Sequence, residues 1–142
     1  MAKDDRIVEL LAQVELFEDL SKAELRRIAA IAKPVDFAPG QSLTEEGTQC
    51  GRFYVIASGA ARVRVRGRSR DVLGPADSCG EISLVDGGPR MATIVAETPL
   101  RTVSIAEFNF RSLLKNEPGI AYKVAVVLCR RLRAAERSAF TS

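Results

Sequence analysis

The chain has 142 residues, 46% hydrophobic and 27% charged, with a net charge of +3. That length supports one domain, able to bury roughly 68–70% of the surface its unfolded chain exposes. With neither histidine nor tryptophan present, the sequence excludes Ser-His-Asp and Cys-His catalysis, His-ligated zinc or iron, and a near-neutral imidazole switch.

Function must then rest on carboxylates, guanidinium groups, hydroxyls, backbone amides and shape. Cys50, Cys79 and Cys129 are widely spaced and odd in number. No CxxC pair exists, which argues against a structural zinc, a dithiol redox site or a disulfide framework. The three are expected to be small buried hydrophobes. The N-terminus carries four charges within Lys3–Arg6 and no signal-type apolar stretch. No apolar run approaches the roughly 18 residues that would suggest a membrane span. A reduced, cytoplasmic protein is expected. Sixteen of the 21 basic residues are arginine, a balance that suits a local anion site.

Two helices open the chain. Ile7, Leu10, Leu11 and Val14 recur at helical spacing behind Asp4–Asp5, which can cap a helix. Ser21-Lys-Ala-Glu24 then reads as a capping box: the serine hydroxyl accepts from the Glu24 amide while the Glu24 carboxylate reaches back. Leu25, Ile28, Ala29 and Ala32 follow on one face, and Pro34 is expected to stop this helix.

From Val35 to Ile105 glycine-rich turns separate short apolar runs: Arg52–Ser58, Ala60–Arg66, Ala92–Ala96 and Leu100–Ile105. No helix of crossover length separates them, so an antiparallel sandwich, barrel or roll is predicted. In Arg62-Val-Arg-Val-Arg66 the period of two predicts Val63 and Val65 inward and the arginines in water, with few aromatics to stack on bases. Glu45-Glu46 reads as a solvated loop pair. Helical texture returns with Phe108, Phe110, Leu113 and Leu114, ended by Asn116-Glu-Pro118. A longer amphipathic helix covers 119–137, its stripe being Ala121, Val124, Leu128, Leu132 and Ala135. Its arginines cluster toward the C-terminus, and Ser138–Ser142 is expected to fray.

The chemistry concentrates in Cys79-Gly-Glu-Ile-Ser-Leu-Val-Asp-Gly-Gly-Pro-Arg-Met-Ala-Thr93. Gly80 permits an unusual backbone angle and close approach of a ligand. Glu81–Val85 can form one helical turn whose first amides are free for an anion. Gly87-Gly88-Pro89 reverses the chain, so that Arg90 points back at the same spot. A guanidinium suits a phosphate through paired hydrogen bonds, and a carboxylate suits a hydroxyl donor. One phosphate beside one hydroxyl would satisfy both.

This run resembles the phosphate-binding cassette of cyclic-nucleotide-binding domains, as in catabolite-activator-type regulators, protein kinase A regulatory subunits and cyclic-nucleotide-gated channels. The matching residues are Gly80-Glu81-Ile82-Ser83-Leu84, then Pro89-Arg90-Met91-Ala92-Thr93-Ile94-Val95-Ala96. Upstream, Phe53-Tyr-Val-Ile-Ala-Ser-Gly59 is similar to the family's strand and turn, and the likeness runs from Leu16-Phe17 to about Arg133. The resemblance implies a mainly β fold: an antiparallel β-roll (35–105, cassette 80–92) between N-terminal helices (5–33) and C-terminal hinge and lid helices (106–137).

It also implies roles. Glu81 would accept the ribose 2′-hydroxyl, Arg90 would pair with the cyclic phosphate, and Gly80 would let the loop close. Amides near Ser83 and Ala92 would complete the cradle. Ile82 and Met91 join the ligand contacts, Leu73 and Val63 would face the ligand, and a residue within Val124–Arg133 would cover the base. Three positions depart from the family: Cys79 replaces a larger residue, Ala76 a common glycine, and Met91 the small residue usual there. Since Met91 lacks the hydroxyl that cyclic-GMP-preferring members often carry, the resemblance points to cyclic AMP, with cyclic GMP second.

The resulting expectation is a non-enzymatic cyclic-nucleotide sensor without cofactor or metal, its ligand coupled to movement of the C-terminal helices. The expected partners are the nucleotide, a second copy through the last helix, and an effector protein, with no membrane and no direct DNA contact because 142 residues leave no room for an effector domain. The alternative is a degenerate roll serving only protein interaction or dimerisation. A metal-dependent enzyme on a similar roll would lack its histidine ligands.

Overall fold

The computed structural model describes the backbone of residues 3–49 and 51–141, and the side chains of 5–49 and 51–140. Cys50 and its expected burial lie outside the described residues. Helix α1 spans Lys3–Ala12, so Asp4 and Asp5 fall in its first turn rather than ahead of it. A short 3-10 turn, Glu15–Phe17, leads to α2, Lys22–Ala30. The capping box forms as predicted, Ser21 Oγ accepting from the Glu24 amide at 3.2 Å and Glu24 Oε1 from the Ser21 amide at 2.8 Å.

Eight strands follow among the described residues: β1 Ala32–Phe37, β2 Ser42–Thr44, β3 Arg52–Ser58, β4 Ala61–Val65, β5 Arg68–Leu73, β6 Ser78–Cys79, β7 Thr93–Ala96 and β8 Leu100–Ala106. Helix α3, Glu81–Asp86, sits between β6 and β7, and α4 (Glu107–Asn116) and α5 (Pro118–Thr141) close the chain. The strands form two four-stranded sheets, ordered β1-β8-β3-β6 and β2-β7-β4-β5, with every pairing antiparallel. This is the β-roll with flanking helices that was expected.

Pro34 does not end α2. The helix stops at Ala30, and Pro34 lies inside β1 opposite Val103. β1 is an edge strand, the one place in a sheet where a missing N–H is tolerated. Ala32, expected on the helix, therefore belongs to the strand. β5 escapes an apolar-pattern reading because Arg68–Val72 are all exposed. It exists as the second arm of a hairpin. Arg66 and Gly67 take φ of 52° and 76°, the pair of positive angles a two-residue turn between twisted strands requires.

Strand β3 explains the division of the core. Its alternation sends Phe53 and Val55 to the helices and Tyr54 and Ile56 to the interior of the roll. On the helical side Phe17 meets Phe53 and Phe110 at ring-centroid distances of 6.0 and 5.9 Å. Around them pack Leu11 and Val14, Ile28 of α2, and Ile120, Val124 and Val127 of α5. The covered face of α5 thus ends earlier than its stripe suggests, since Leu132 and Ala135 are exposed. Cys129 is also exposed, against expectation, because it stands outside the covered face. Helix α5 continues to Thr141, so 138–141 are helical rather than frayed.

Candidate functional site

Three features hold the cassette. Gly80 begins α3 with φ +94°, and the Leu84 amide donates to the Gly80 carbonyl at 2.8 Å to close the turn. A side chain here meets two obstacles. The left-handed backbone is costly for any L residue with a Cβ, and an ideal Cβ would lie 1.4 Å from Arg90 Nη1. The second feature is the pairing of 90–93 with the loop after β2. The Arg90 amide donates to the Thr48 carbonyl, the Gly47 amide donates to the Arg90 carbonyl, and Thr44 Oγ1 donates to the Ala92 carbonyl. Third, Ser78 Oγ donates to Glu81 Oε1 and orients the carboxylate.

These elements enclose a cavity of about 260 Å³. All nine residues predicted for the site line it: Gly80, Glu81, Ile82 and Ser83 at the start of α3, Arg90, Met91 and Ala92 ahead of β7, and Val63 and Leu73 on β4 and β5. Thr44, Ser78, Cys79 and Ile94 complete the wall. Cys79 had been noted only as a departure. Thr44 carried no signal, and Ile94 stood in the matching run without an assigned place in the site, because the position of both depends on β2 pairing with β7. Ile82 and Met91 are large apolar side chains left 56% and 71% exposed, an apolar lip fit for a flat aromatic ligand group. The hairpin arginines Arg64, Arg66, Arg68 and Arg70 are in water, as predicted, and Arg62 pairs with Glu97.

The two charged residues differ in environment. Glu81 Oε2 accepts from Arg131 Nη1 at 2.8 Å, across 50 residues. Arg131 of α5 also binds Glu15 at 2.8 Å. Burial opposes the Arg131 charge, but hydrogen bonds to Glu81 and Glu15 and attraction to both outweigh it, so its pKa stands above the ordinary arginine value. One residue of the range expected to cover the ligand thus reaches the cassette itself. Arg90, by contrast, is buried at 3% side-chain exposure, with Nη2 3.1 Å from Glu107 Oε2. That pair is close in distance but misaligned, and Nε, Nη1 and Nη2 are all buried without a hydrogen bond. Glu107 opens α4 and also faces Arg111 Nη1 at 3.8 Å. Its part in the site had no local signal.

Ala76 adopts φ 73°, so the position held by a common glycine in the resembling family is left-handed here, with the strain that an alanine brings. No group of three or more His, Cys, Asp or Glu able to hold a metal occurs among the described residues, and no described helix is long and apolar enough to cross a membrane.

Comparison with known proteins agrees with this geometry. The pattern of the family described as "Cyclic nucleotide-binding domain" matches residues 34–117, more than half of the chain. A CRP-like cAMP-activated global transcriptional regulator of Mycobacterium tuberculosis is 33% identical over 130 residues, 88% of this chain. The chain spans 58% of that relative's length. Among solved structures, the N-terminal domain of a transcriptional regulator from Streptomyces coelicolor superposes with a TM-score of 0.81 at 29% identity, covering 89% of this chain and 94% of that one. The Thermus thermophilus Catabolite Activator Protein gives 0.73 at 27% identity, covering 89% and 62%. The mycobacterial and Streptomyces relatives are described as transcriptional regulators, so they lend no support to the expectation that DNA contact is absent. The matched pattern, the roll and the cassette agree, and the chain belongs to the cyclic nucleotide-binding domain family.

Proposed function

We propose that this domain senses a cyclic nucleotide, cyclic AMP before cyclic GMP, in the cavity bounded by Glu81 and Arg90. The observation that carries this reading is the Arg90 guanidinium: buried at the cavity wall with no hydrogen bond on any nitrogen. Buried donors without partners are costly, by about 1–3 kcal/mol or more when charged, and a phosphate is the ligand group that would satisfy two at once. Glu81 accepts the sugar hydroxyl, and the exposed apolar Ile82 and Met91 meet the base. The description of the mycobacterial relatives as cAMP-activated supports the choice of ligand. Met91 has no hydroxyl for guanine.

The output is movement of α5. Arg131 ties α5 to Glu81 and to the 3-10 turn, and Arg130 adds pairs with Glu18 and Asp19. A ribose hydroxyl arriving at Glu81 competes with Arg131 for the same carboxylate, so occupancy and helix position are linked. For this to be a switch, the ligand must bind one helix arrangement better than the other.

Calorimetric titration with cyclic AMP and cyclic GMP tests the reading. Binding is expected, and Arg90→Ala is expected to weaken it by about 2–5 kcal/mol, roughly thirty- to several-thousand-fold, with the fold retained by circular dichroism. Absence of heat with either nucleotide at high protein concentration overturns it. The second reading, an interaction module without nucleotide, draws on one observation: Arg90 already has a carboxylate neighbour in Glu107.

A further inference from the structure

The cluster behind the cassette holds two guanidinium groups and one carboxylate, with Arg90 and Glu107 buried and Arg111 half-buried. Arg90 Nη2 lies 3.1 Å from Glu107 Oε2, while Arg111 Nη1 lies 3.8 Å from Glu107 Oε1. Side-chain exposures are 3% for Arg90, 6% for Glu107 and 35% for Arg111. The trio carries one positive charge in excess beside the cavity. Both arginines are poorly satisfied, because Arg111 Nη1 is also buried without a hydrogen bond. Glu107 starts α4 and Arg111 follows one turn later, so this side of the cluster belongs to the helix leading into α5.

We propose that Glu107 is a built-in rival for the ligand's phosphate, and that binding proceeds by exchange of counter-ions among Arg90, Glu107 and Arg111. This rests on the nucleotide-sensing reading above and adds the regulation of that site. Without ligand, Arg90 is parked under Gly80 against Glu107. Its guanidinium fills the space that a Cβ on Gly80 would occupy, and its buried nitrogens offer no donor to the cavity. When a phosphate arrives, Arg90 turns to it, and Glu107 passes to Arg111. No charge is stranded, because Arg111 already stands one small movement away. Removing one partner from a buried pair is normally severe, and the second guanidinium lessens that cost. The exchange also unhooks the start of α4 from the cassette, which gives the phosphate its own route to the C-terminal helices, separate from the Glu81–Arg131 contact.

The test is calorimetry with cyclic AMP on the full chain for wild type, Glu107→Gln, Arg111→Gln and the double variant, with amide hydrogen exchange to check the fold and follow α4. Glu107→Gln is expected to bind roughly tenfold tighter or more, and Arg111→Gln to bind more weakly by a similar factor, within the range usual for coupled sites. The double variant is expected to bind like Glu107→Gln, because Arg111 has no carboxylate left to hold. In wild type, ligand raises exchange at the first turn of α4; in Glu107→Gln that turn exchanges fast before ligand is added. A folded Glu107→Gln that binds no tighter than a binding-competent wild type overturns the exchange and leaves the sensor reading standing. Should Glu107→Gln fail to fold, a folded Arg111→Gln with wild-type affinity overturns it in the same way. If neither wild type nor any variant binds cyclic AMP or cyclic GMP, the sensor reading fails and the exchange fails with it.

Discussion

Gly80→Ala separates two costs that coincide at one Cα. The first is the backbone. At φ +94° an alanine sits in the left-handed region, at about 1–2 kcal/mol. The second is steric and electrostatic. The new Cβ would lie 1.4 Å from Arg90 Nη1 and 2.5 Å from Cζ, so the guanidinium must leave and its 3.1 Å pair with Glu107 is lost. Removing a partner from a buried pair costs about 3–5 kcal/mol, and the lower end applies because Arg111 remains near Glu107. The sum for wild type is about 4–5 kcal/mol. In an Arg90→Ala background the guanidinium is already gone, and only the backbone cost of about 1–2 kcal/mol remains. The coupling of about 3 kcal/mol lies well above the few tenths expected for independent sites. Urea unfolding followed by far-ultraviolet circular dichroism measures it, since the chain has no tryptophan to report by fluorescence. An equal cost for Gly80→Ala in both backgrounds would refute the reasoning, because it would mean that Arg90 does not rest against Gly80 in solution.

Other outcomes follow from single observations. Ala76→Gly relieves a left-handed alanine at φ 73°. Relief of about 1–2 kcal/mol is offset in part by about 0.4–1 kcal/mol of added unfolded-state freedom, so a net gain of up to about 1.6 kcal/mol is expected in the same urea assay. The Glu24 carboxyl is held below its ordinary pKa, first by the hydrogen bond from Lys123 and next by the Ser21 amide. A depressed folded-state value contributes stability above the ordinary carboxylate range, lost as pH falls through that range toward the folded value. Unfolding midpoints measured from neutral pH downward should therefore decline in that window, and Glu24→Gln should flatten the decline. Phe17→Ala removes a fully buried ring between Phe53 and Phe110, and a loss of about 3–5 kcal/mol is expected by urea unfolding. Arg131→Ala cuts α5 from both Glu81 and Glu15. Faster amide exchange should appear in the second half of α5, with the roll unchanged, and an unaltered α5 would mean that its packing near Val124 and Val127 suffices.

Local physics made the short-range features legible. The capping box needs only Ser21 and Glu24 three residues apart. Helix α3 needs Glu81–Asp86 between glycines able to take positive φ. β3 carries an unbroken apolar run from Phe53 to Ala57, and β8 places Leu100, Val103 and Ile105 in the core, because both strands lie inside the sheet. The nine site residues converge on one cavity because they come from the cassette and from the β4–β5 hairpin packed beside it. β1, β2, β5 and β6 were not legible. β5 is mostly exposed, β1 has no fully buried residue, β2 and β6 are only three and two residues long, and each exists because a partner strand supplies its hydrogen bonds.

The absence of histidine limited the chemistry to carboxylates, guanidinium groups, hydroxyls and amides, and residue spacing placed Glu81 and Arg90 on the cassette. Which charge faces which was decided by the tertiary structure alone. Glu81 meets Arg131 from a helix 50 residues further on, and Arg90 meets Glu107 at the start of α4 rather than open cavity. Spacing along the chain specifies which side chains share a turn or a strand face. Contacts between distant charges depend on how helices settle on the roll, and that follows from the packing of Phe17, Phe53 and Phe110, where no charge takes part.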